Sequence, residues 1–459
     1  MDKLQKRRSF LKSVVLGGTG IALSPGILKA EDTTVDIPNA IEQKDVPSTG
    51  RKYNTPYTGE YLNRVAFPIG GLGAGMFCLE GAGAISHTSI CNRPEIFNEP
   101  SLFSAIAIKG LKNGVKVLEG QVPDWKMFGA RGTGNGAAGA TYGLPRFQDA
   151  EFKTHFPFAT IQLKDADIPL QIAVKGWSPF IPTDEDNSSL PVGALEYIFT
   201  NKTTQSFEAV FSFNTKNFLA NTDGVVNKIA AINNGFILKQ DAAKDKPEAE
   251  ASFAVFTDDD KTIVDHCWFR GGWWDPLTMA WNTVNDGKTR TTPPVEKDAP
   301  GASLFVPFTL AAGASKTIRL MMTWYVPETN MHIGEIVWDE KKDCSPESGC
   351  CAAPEDLGAV NGKKSLSSNY KPWYSSRFAN IDEVADYWKK NYTDLHSKST
   401  LFSEAFYAST LPPEVMEAVA ANLTILKSPT VLRQYDGRLW AWEGCGDDGG
   451  CCHGSCTHV

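Results

Sequence analysis

No stretch of this 459-residue chain approaches the roughly 18 consecutive apolar residues that a membrane-spanning helix needs. Basic residues are also in deficit, with 45 Lys and Arg against 53 Asp and Glu for a formal net charge of −8. Without a Lys/Arg cluster to neutralise phosphates, nucleic acid is set aside as a partner. There is no internal repeat and no nucleophile elbow of the kind that exposes a hydrolase serine. Pro68-Ile69-Gly70-Gly71-Leu72-Gly73-Ala74-Gly75 is glycine-rich, but the dinucleotide spacing fails at Met76 and no helical pattern follows. It reads instead as a tight strand turn that lets another backbone come close. Asp184-Glu185-Asp186-Asn187-Ser188 opens like a calcium loop. Ser189 then stands where the sixth-position glycine belongs, and Leu195 where the twelfth-position glutamate belongs, so a polar turn is the better reading.

What is present begins with an export signal. Lys6-Arg7-Arg8-Ser9-Phe10-Leu11-Lys12 has the twin-arginine form, a weakly apolar run from Val14 to Leu23 follows, and Ala30 offers a cleavage point before Glu31. The expected destination is periplasmic or extracellular. Loss of residues 1–30 would leave 39 basic against 52 acidic residues, a formal charge of −13. Seven of the ten cysteines lie beyond residue 340, in the clusters Cys344, Cys350, Cys351 and Cys445, Cys451, Cys452, Cys456. Such clustering staples loops locally. Cys445, Cys451, Cys452, His453, Cys456 and His458 carry metal-ligand chemistry, but no C-x-x-C spacing occurs, and adjacent Cys451 and Cys452 cannot easily face one ion. Disulfides or structural thiols are preferred over a metal there.

Hydrophobic content of 42% and charged content of 21% suit a globular protein of two or three domains. Residues 31–60 are polar and hold Pro38, Pro47 and Pro56, which suggests a linker or N-terminal arm. From 61 to about 330 the pattern is β. Leu170, Ile172 and Val174 alternate with Gln171 and Ala173, and Phe207, Ala209, Phe211 and Phe213 share one face. Many such runs between Asn/Asp/Gly turns predict a large antiparallel sandwich, placed at 61–375. The period then changes. Ile381, Val384, Trp388, Tyr392 and Leu395 predict an amphipathic helix in a connecting region, 376–411. Pro412-Pro413-Glu414 opens another helix with Val415, Val419 and Leu423 as its expected buried stripe. Only 48 residues run from Pro412 to Val459, too few for an independent helical core, so a truncated helical domain is expected at 412–459.

Two features suggest carbohydrate chemistry. Trp268, Trp273, Trp274 and Trp281 cluster around a Gly-Gly and Asp-Pro loop, where their rings could stack on sugars or fill the core. Glu443 lies between Trp442 and a glycine- and cysteine-rich loop. One carboxylate is not enough for glycoside hydrolysis, which normally uses two. Asp447 and Asp448 follow closely but sit in a turn-like Asp-Asp-Gly-Gly and read as turn residues.

Several stretches resemble glycoside hydrolase family 116, which includes bacterial β-glucosidases and non-lysosomal glucosylceramidases. They are VAFPIGGLGAGMFCLEGAGAISH (65–87), NRPEIFNEP (92–100), GWSPFIPTDEDNSSLPVGALEYIFTN (176–201) and LKSPTVLRQYDGRLWAWEGCGDDGGCCHGSCTHV (426–459). The resemblance implies a mainly β chain, a large antiparallel β-sandwich followed by the first helices of a truncated (α/α)6 barrel. It further implies a retaining, β-glucosidase-like mechanism with Glu443 as nucleophile, no cofactor or metal, and an acid/base aspartate beyond Val459. On this reading the 459-residue chain alone would be inactive. Trp442 becomes a substrate-binding candidate beside Glu443. His458 is a second, standing where family members carry a sugar-contacting aspartate, a departure that leaves glucose, xylose and N-acetylglucosamine open as the glycone. The expected partner is a carbohydrate or glycoside substrate, with peripheral membrane contact and oligomeric state left open. A non-catalytic carbohydrate-binding sandwich is the alternative from another class, and a metal or redox protein built on the terminal cysteines is a third.

Overall fold

The computed structural model describes residues 51–95, 98–128, 141–331, 370–441, 445–446 and 450–451. The chain divides into two units, Met1–Gly50 and Arg51–Val459, of which the first lies outside the described residues together with its twin-arginine segment. Among the described residues of the second unit, sixteen strands precede the long helix. In chain order they are β1 (Ala66–Gly70), β2 (Met76–Glu80), β3 (Ile85–Ser89), β4 (Leu102–Ile108), β5 (Val115–Val117), β6 (Asp149–His155), β7 (Phe158–Lys164) and β8 (Leu170–Trp177). There follow β9 (Val192–Asn201), β10 (Phe207–Lys216), β11 (Asn227–Ile232), β12 (Gly235–Gln240), β13 (Ala251–Thr257), β14 (Ile263–Asp265), β15 (Gly301–Leu310) and β16 (Ser315–Tyr325).

These strands make an eight-stranded sheet in the order β11-β12-β13-β16-β9-β8-β7-β6, a five-stranded sheet β14-β15-β10-β4-β5, and a small sheet β1-β2-β3. Pairing in all three is antiparallel, as the alternating runs predict. The register follows the pattern of apolar residues. Leu195, Tyr197 and Phe199 of β9 enter the main core with Phe211 and Phe213 of β10, while Val192 and Ala194 of β9 join a second cluster. A slip of one residue would exchange these two sets.

The second cluster exists because the eight-stranded sheet is covered twice. The helix Ile381–Tyr407 brings Trp388, Tyr392 and Leu395 against Phe158, Trp177, Ala254 and Tyr325. Its predicted stripe is buried in full, with Trp388 completely enclosed and its ring 5.2 Å from that of Trp177. Asn380 caps the helix, its side chain accepting from the Glu383 amide at 3.0 Å while the Glu383 carboxylate accepts from the Ala379 amide at 2.8 Å. The one acid on the covered stretch of β9 is satisfied as well, since the Tyr392 hydroxyl donates to Glu196 Oε1 at 2.8 Å.

Two local outcomes differ from the sequence reading. Residues 276–285, inside the stretch read as β, form a helix. Its start is set by Pro276 in the first turn and by Asp275, whose side chain accepts from the amides of Leu277 and Thr278. The helix Pro413–Ile425 exists as expected but buries a different face. Val415 and Val419 are 40% and 41% exposed, whereas Met416 and Ala420 are buried. Both stripes have helical spacing and lie one residue apart, so periodicity alone cannot choose between them. The lower end of the arm is also tied down: the Arg51 guanidinium pairs with Glu417, Asn54 Nδ2 donates to the Pro413 carbonyl at 2.9 Å, and Tyr57 exchanges backbone hydrogen bonds with Phe152 on edge strand β6.

Candidate functional site

The approach to Glu443 is a short hairpin, β17 (Val431–Arg433) and β18 (Leu439–Ala441). Gln434 and Arg438 close it, with Gln434 N–H donating to the Arg438 carbonyl at 2.7 Å, and Gly437 makes the turn at φ +91°. Trp442, Glu443 and His458, the three residues singled out in the sequence, lie outside the described residues. So do Asp447 and Asp448, although the backbones of Cys445 and Gly446 pair antiparallel with those of Cys451 and Gly450 on either side of them. What the structure does describe is how the strand leading to Glu443 is held.

The glycine-rich turn between β1 and β2 supplies one wall. The Arg433 amide donates to the Gly73 carbonyl at 2.9 Å. A Cβ on Gly73 would stand 2.2 Å from that amide nitrogen, and its φ of +64° also favours glycine. Gly71 is constrained in the same way, because a Cβ there would lie 2.3 Å from the Leu190 carbonyl oxygen. Close backbone approach is therefore why these positions are glycine, as the sequence suggested.

A second tie comes from Tyr370-Lys371-Pro372-Trp373. The buried Tyr370 hydroxyl lies 3.0 Å from the Arg433 carbonyl and 3.3 Å from the Gly73 carbonyl, so a single O–H faces both segments. Burial pushes its pKa well above the ordinary phenol value, which keeps it a donor. Trp373 N–H donates to the same Arg433 carbonyl at 2.8 Å. Around this junction Met331, Tyr370 and Leu432 form a small buried cluster against which Trp440 packs, its ring 5.9 Å from that of Tyr370.

The third tie is ionic. Arg433 lays its guanidinium 4.0 Å from the Trp373 ring centroid, donates to Asp186 Oδ1 at 2.8 Å, and reaches the Glu185 carbonyl at 3.2 Å. Asp186 also meets Arg377 at 3.3 Å. The segment 184–188, expected as a polar turn, is one turn of helix capped by Asp184, whose Oδ1 accepts from the Asn187 amide at 3.1 Å. Asp186 serves the hairpin through its carboxylate and Glu185 through its carbonyl. A fourth element, Lys427, sits just before the hairpin and is almost fully enclosed. Its ammonium donates to Ser178 Oγ at 2.6 Å, to the Ser178 carbonyl at 3.2 Å and to the Pro179 carbonyl at 3.3 Å. Ser178 Oγ in turn donates to the Gly70 carbonyl at 2.8 Å, which links Lys427 to the glycine turn.

Sequence reasoning missed Tyr370, Trp373, Lys427 and Arg433. The legible signal was the Tyr435-Asp436-Gly437 turn between short alternating runs, which marks a hairpin but not its partners.

The carboxylates gathered elsewhere are structural. Lys126 Nζ lies 2.7 Å from both Glu80 and Glu99, and Arg146 Nε lies 3.0 Å from Glu119. Burial raises the Glu119 pKa against the opposing pull of Arg146. The cavity among them has a volume of about 10 Å³, room for roughly one water and not for a sugar ring. Among the described residues no group of three or more His, Cys, Asp or Glu is placed to hold a metal ion. The described cysteines Cys78, Cys91 and Cys267 are free thiols. The four tryptophans of the 268–281 segment divide. Trp268 is buried, with Nε1 donating to Ser303 Oγ at 2.8 Å, and Trp281 packs near Phe103, whereas Trp273 and Trp274 are 76% and 61% exposed.

Comparison with known proteins adds the following. No curated protein sequence matches the chain. Among solved structures, it is similar to a putative kojibiose phosphorylase from human microbiome (10% identity, 79% of this chain and 39% of that one, TM-score 0.35). It is also similar to a bacterial glucoamylase complexed with acarbose (11% identity, 60% and 33%, TM-score 0.31). A third is a family GH92 α-mannosidase from Bacteroides thetaiotaomicron (9% identity, 83% and 42%, TM-score 0.29). The chain thus spans less than half the length of each of these proteins. The profile described as "beta-glucosidase 2, glycosyl-hydrolase family 116 N-term" matches residues 66–395, which covers the sandwich and most of the helix packed on it, and the chain belongs to glycoside hydrolase family 116.

Proposed function

We propose that this protein acts as a retaining, β-glucosidase-like glycoside hydrolase in which Glu443 is the nucleophile. The observation that carries the reading is the family match over residues 66–395. The buried ties on Arg433 support it, because a nucleophile must be held steady relative to its substrate and its acid partner. In the first step a Glu443 carboxylate oxygen bonds to the anomeric carbon, and the glycosidic bond breaks. The leaving oxygen takes a proton from a second carboxylic acid, about 5–5.5 Å from the first in retaining enzymes. Water then attacks the glycosyl ester, giving its proton to that second carboxylate and releasing Glu443. The second carboxylate belongs to a helical (α/α)6 catalytic domain beginning near residue 412. The twin-arginine segment at Lys6–Lys12 directs the protein to the periplasm or beyond.

A covalent trap tests the nucleophile without needing the acid. With a 2,4-dinitrophenyl 2-deoxy-2-fluoro-β-glucoside the leaving group departs unassisted, so glycosylation requires the nucleophile and no general acid. The expected result is a labelled peptide containing Glu443 that disappears in Glu443→Gln. Labelling of a different carboxylate would sink the assignment.

A second reading, carbohydrate binding through the loop before residue 276, is favoured by the exposure of Trp273 and Trp274. Calorimetry with oligosaccharides on wild type and Trp273→Ala tests it. Binding lost in the variant would support a binding module, and unchanged binding would remove it.

A further inference from the structure

Where β12 ends and β13 begins, five parts of the chain surround a cleft of about 150 Å³, a volume of roughly five waters and of the order of one pyranose ring. The cleft's chemistry is unusually even. Its charged lining is two cations, Arg93 and Lys246, and two carboxylates, Glu248 and Glu328. Its floor is hydrocarbon, from Leu219, Ala249 and Ala251, all buried. A phosphate would call for a net positive lining, and an apolar aglycone for a continuous apolar one. Mixed donors and acceptors over an apolar floor suit a neutral polyhydroxylated ring, whose C–H face packs while its hydroxyls pair outward.

The walls are set from beneath. Gln240 is buried, its Nε2 donating to the Ala249 carbonyl at 2.8 Å and its Oε1 accepting from the Thr222 amide at 3.1 Å, so one amide fixes two walls together. By contrast, the side chains of Lys246 and Glu248 form no ion pair or hydrogen bond among the described residues and are only partly buried. Among the described residues they are charged groups on a fixed frame with no partner. Thr329, on the cleft's wall, accepts through Oγ1 from the Met331 amide at 3.0 Å, and Met331 belongs to the cluster that packs Trp440.

We propose that this cleft is a sugar-binding subsite that holds a pyranose unit, with Lys246 and Glu248 as its hydroxyl-binding groups. The proposal rests on the hydrolase reading for the identity of its ligand. Calorimetry on the full chain with cellobiose, xylobiose and N,N′-diacetylchitobiose tests it, with Lys246→Ala, Glu248→Gln and Trp273→Ala alongside and melting temperatures as the check on folding. The expected result is binding of at least one disaccharide, weakened fivefold or more by Lys246→Ala and by Glu248→Gln and unchanged by Trp273→Ala. Absence of binding by all three disaccharides overturns the proposal. So does binding that survives both cleft variants, or Lys246-dependent binding of inorganic phosphate in place of sugar. Fluoro-glucoside labelling of Glu443 reports the hydrolase reading separately. Labelling that persists while the cleft variants bind normally removes the subsite alone, and cleft-dependent binding without labelling keeps the subsite and removes the nucleophile.

Discussion

Replacing Lys427 by methionine should change how stability depends on pH as well as stability itself. Lys427 is 1% exposed, its ammonium has three neutral acceptors on Ser178 and Pro179, and among the described residues it has no carboxylate partner. Burial alone pulls its pKa from 10.5 to about 7. Below pH 7 both folded and unfolded chains hold the proton, and the group contributes a constant penalty for burying charge. Between about pH 7 and the unfolded value near 10.4, the unfolded chain holds the proton and the folded chain releases it. Stability must therefore rise with pH in that window, by up to about 1.4 kcal/mol per pH unit. From pH 7.5 to 9 the gain is about 2 kcal/mol. Methionine fills similar volume, does not titrate, and leaves the Ser178 and Pro179 carbonyls without their donor at a cost of about 1–3 kcal/mol each. Urea unfolding of both proteins at pH 6, 7.5 and 9 isolates the effect, since every other titration cancels in the difference. The stability difference between wild type and variant should be steady well below pH 7 and shift in favour of wild type by about 2 kcal/mol between pH 7.5 and 9. Curves that stay parallel over that range, or converge, would refute the account of Lys427 as a charge held by burial among neutral acceptors.

Gly73→Ala brings a Cβ to 2.2 Å from the Arg433 amide nitrogen at a φ of +64°, so it should lower the melting temperature and speed amide exchange over residues 431–441 in particular. Met416→Ala should cost about 2–5 kcal/mol and Val415→Ala within about 0.5 kcal/mol, because only the first side chain is buried; similar losses would mean the helix Pro413–Ile425 packs by its other face. Trp388→Ala, which empties the space between the long helix and the eight-stranded sheet, should cost about 3–5 kcal/mol in denaturant unfolding. Arg433→Met removes the contacts to Asp186 and the Glu185 carbonyl and should cost about 1–2 kcal/mol, since Asp186 is partly solvated; the decisive readout is slower fluoro-glucoside labelling of Glu443 at unchanged secondary structure.

How much of this was legible depends on whether the partner is near in sequence. Strands such as β8 and β10 could be read because their alternation is local, with Leu170, Ile172 and Val174 inward and Gln171 between them. The helix Ile381–Tyr407 could be read for the same reason, its stripe being wide and its cap adjacent. The helix Pro276–Asn285 escaped notice because its apolar residues fall inside an aromatic-rich segment, although Asp275-Pro276 is a start signal. The face chosen by the helix Pro413–Ile425 could not be read, because the choice is made by what it packs against. At the hairpin, the glycines predicted that some backbone would come close. That the backbone is Arg433, 360 residues later, is a long-range fact with no local trace.

The same distance in sequence explains what the sandwich does for the site. Arg433 is tied through its amide to Gly73, through its carbonyl to Tyr370 and Trp373, and through its guanidinium to Asp186 and the Trp373 ring. Those partners come from the turn after β1, the segment before the long helix, and the helical turn before β9. Each tie constrains a different degree of freedom: the amide sets the strand's height on the glycine turn, the carbonyl its rotation, and the guanidinium its lateral position. A hairpin of this size would be marginal in water on its own. Its geometry up to Ala441 is therefore inherited from the sandwich. If Glu443 is the nucleophile, weakening any one of these ties should reduce its labelling rate while leaving its ionisation untouched, since the ties act on the backbone of the strand and on Asp186. A change in the pH midpoint of labelling in Arg433→Met would contradict that separation and place Arg433 in the electrostatics of the site instead of its scaffold.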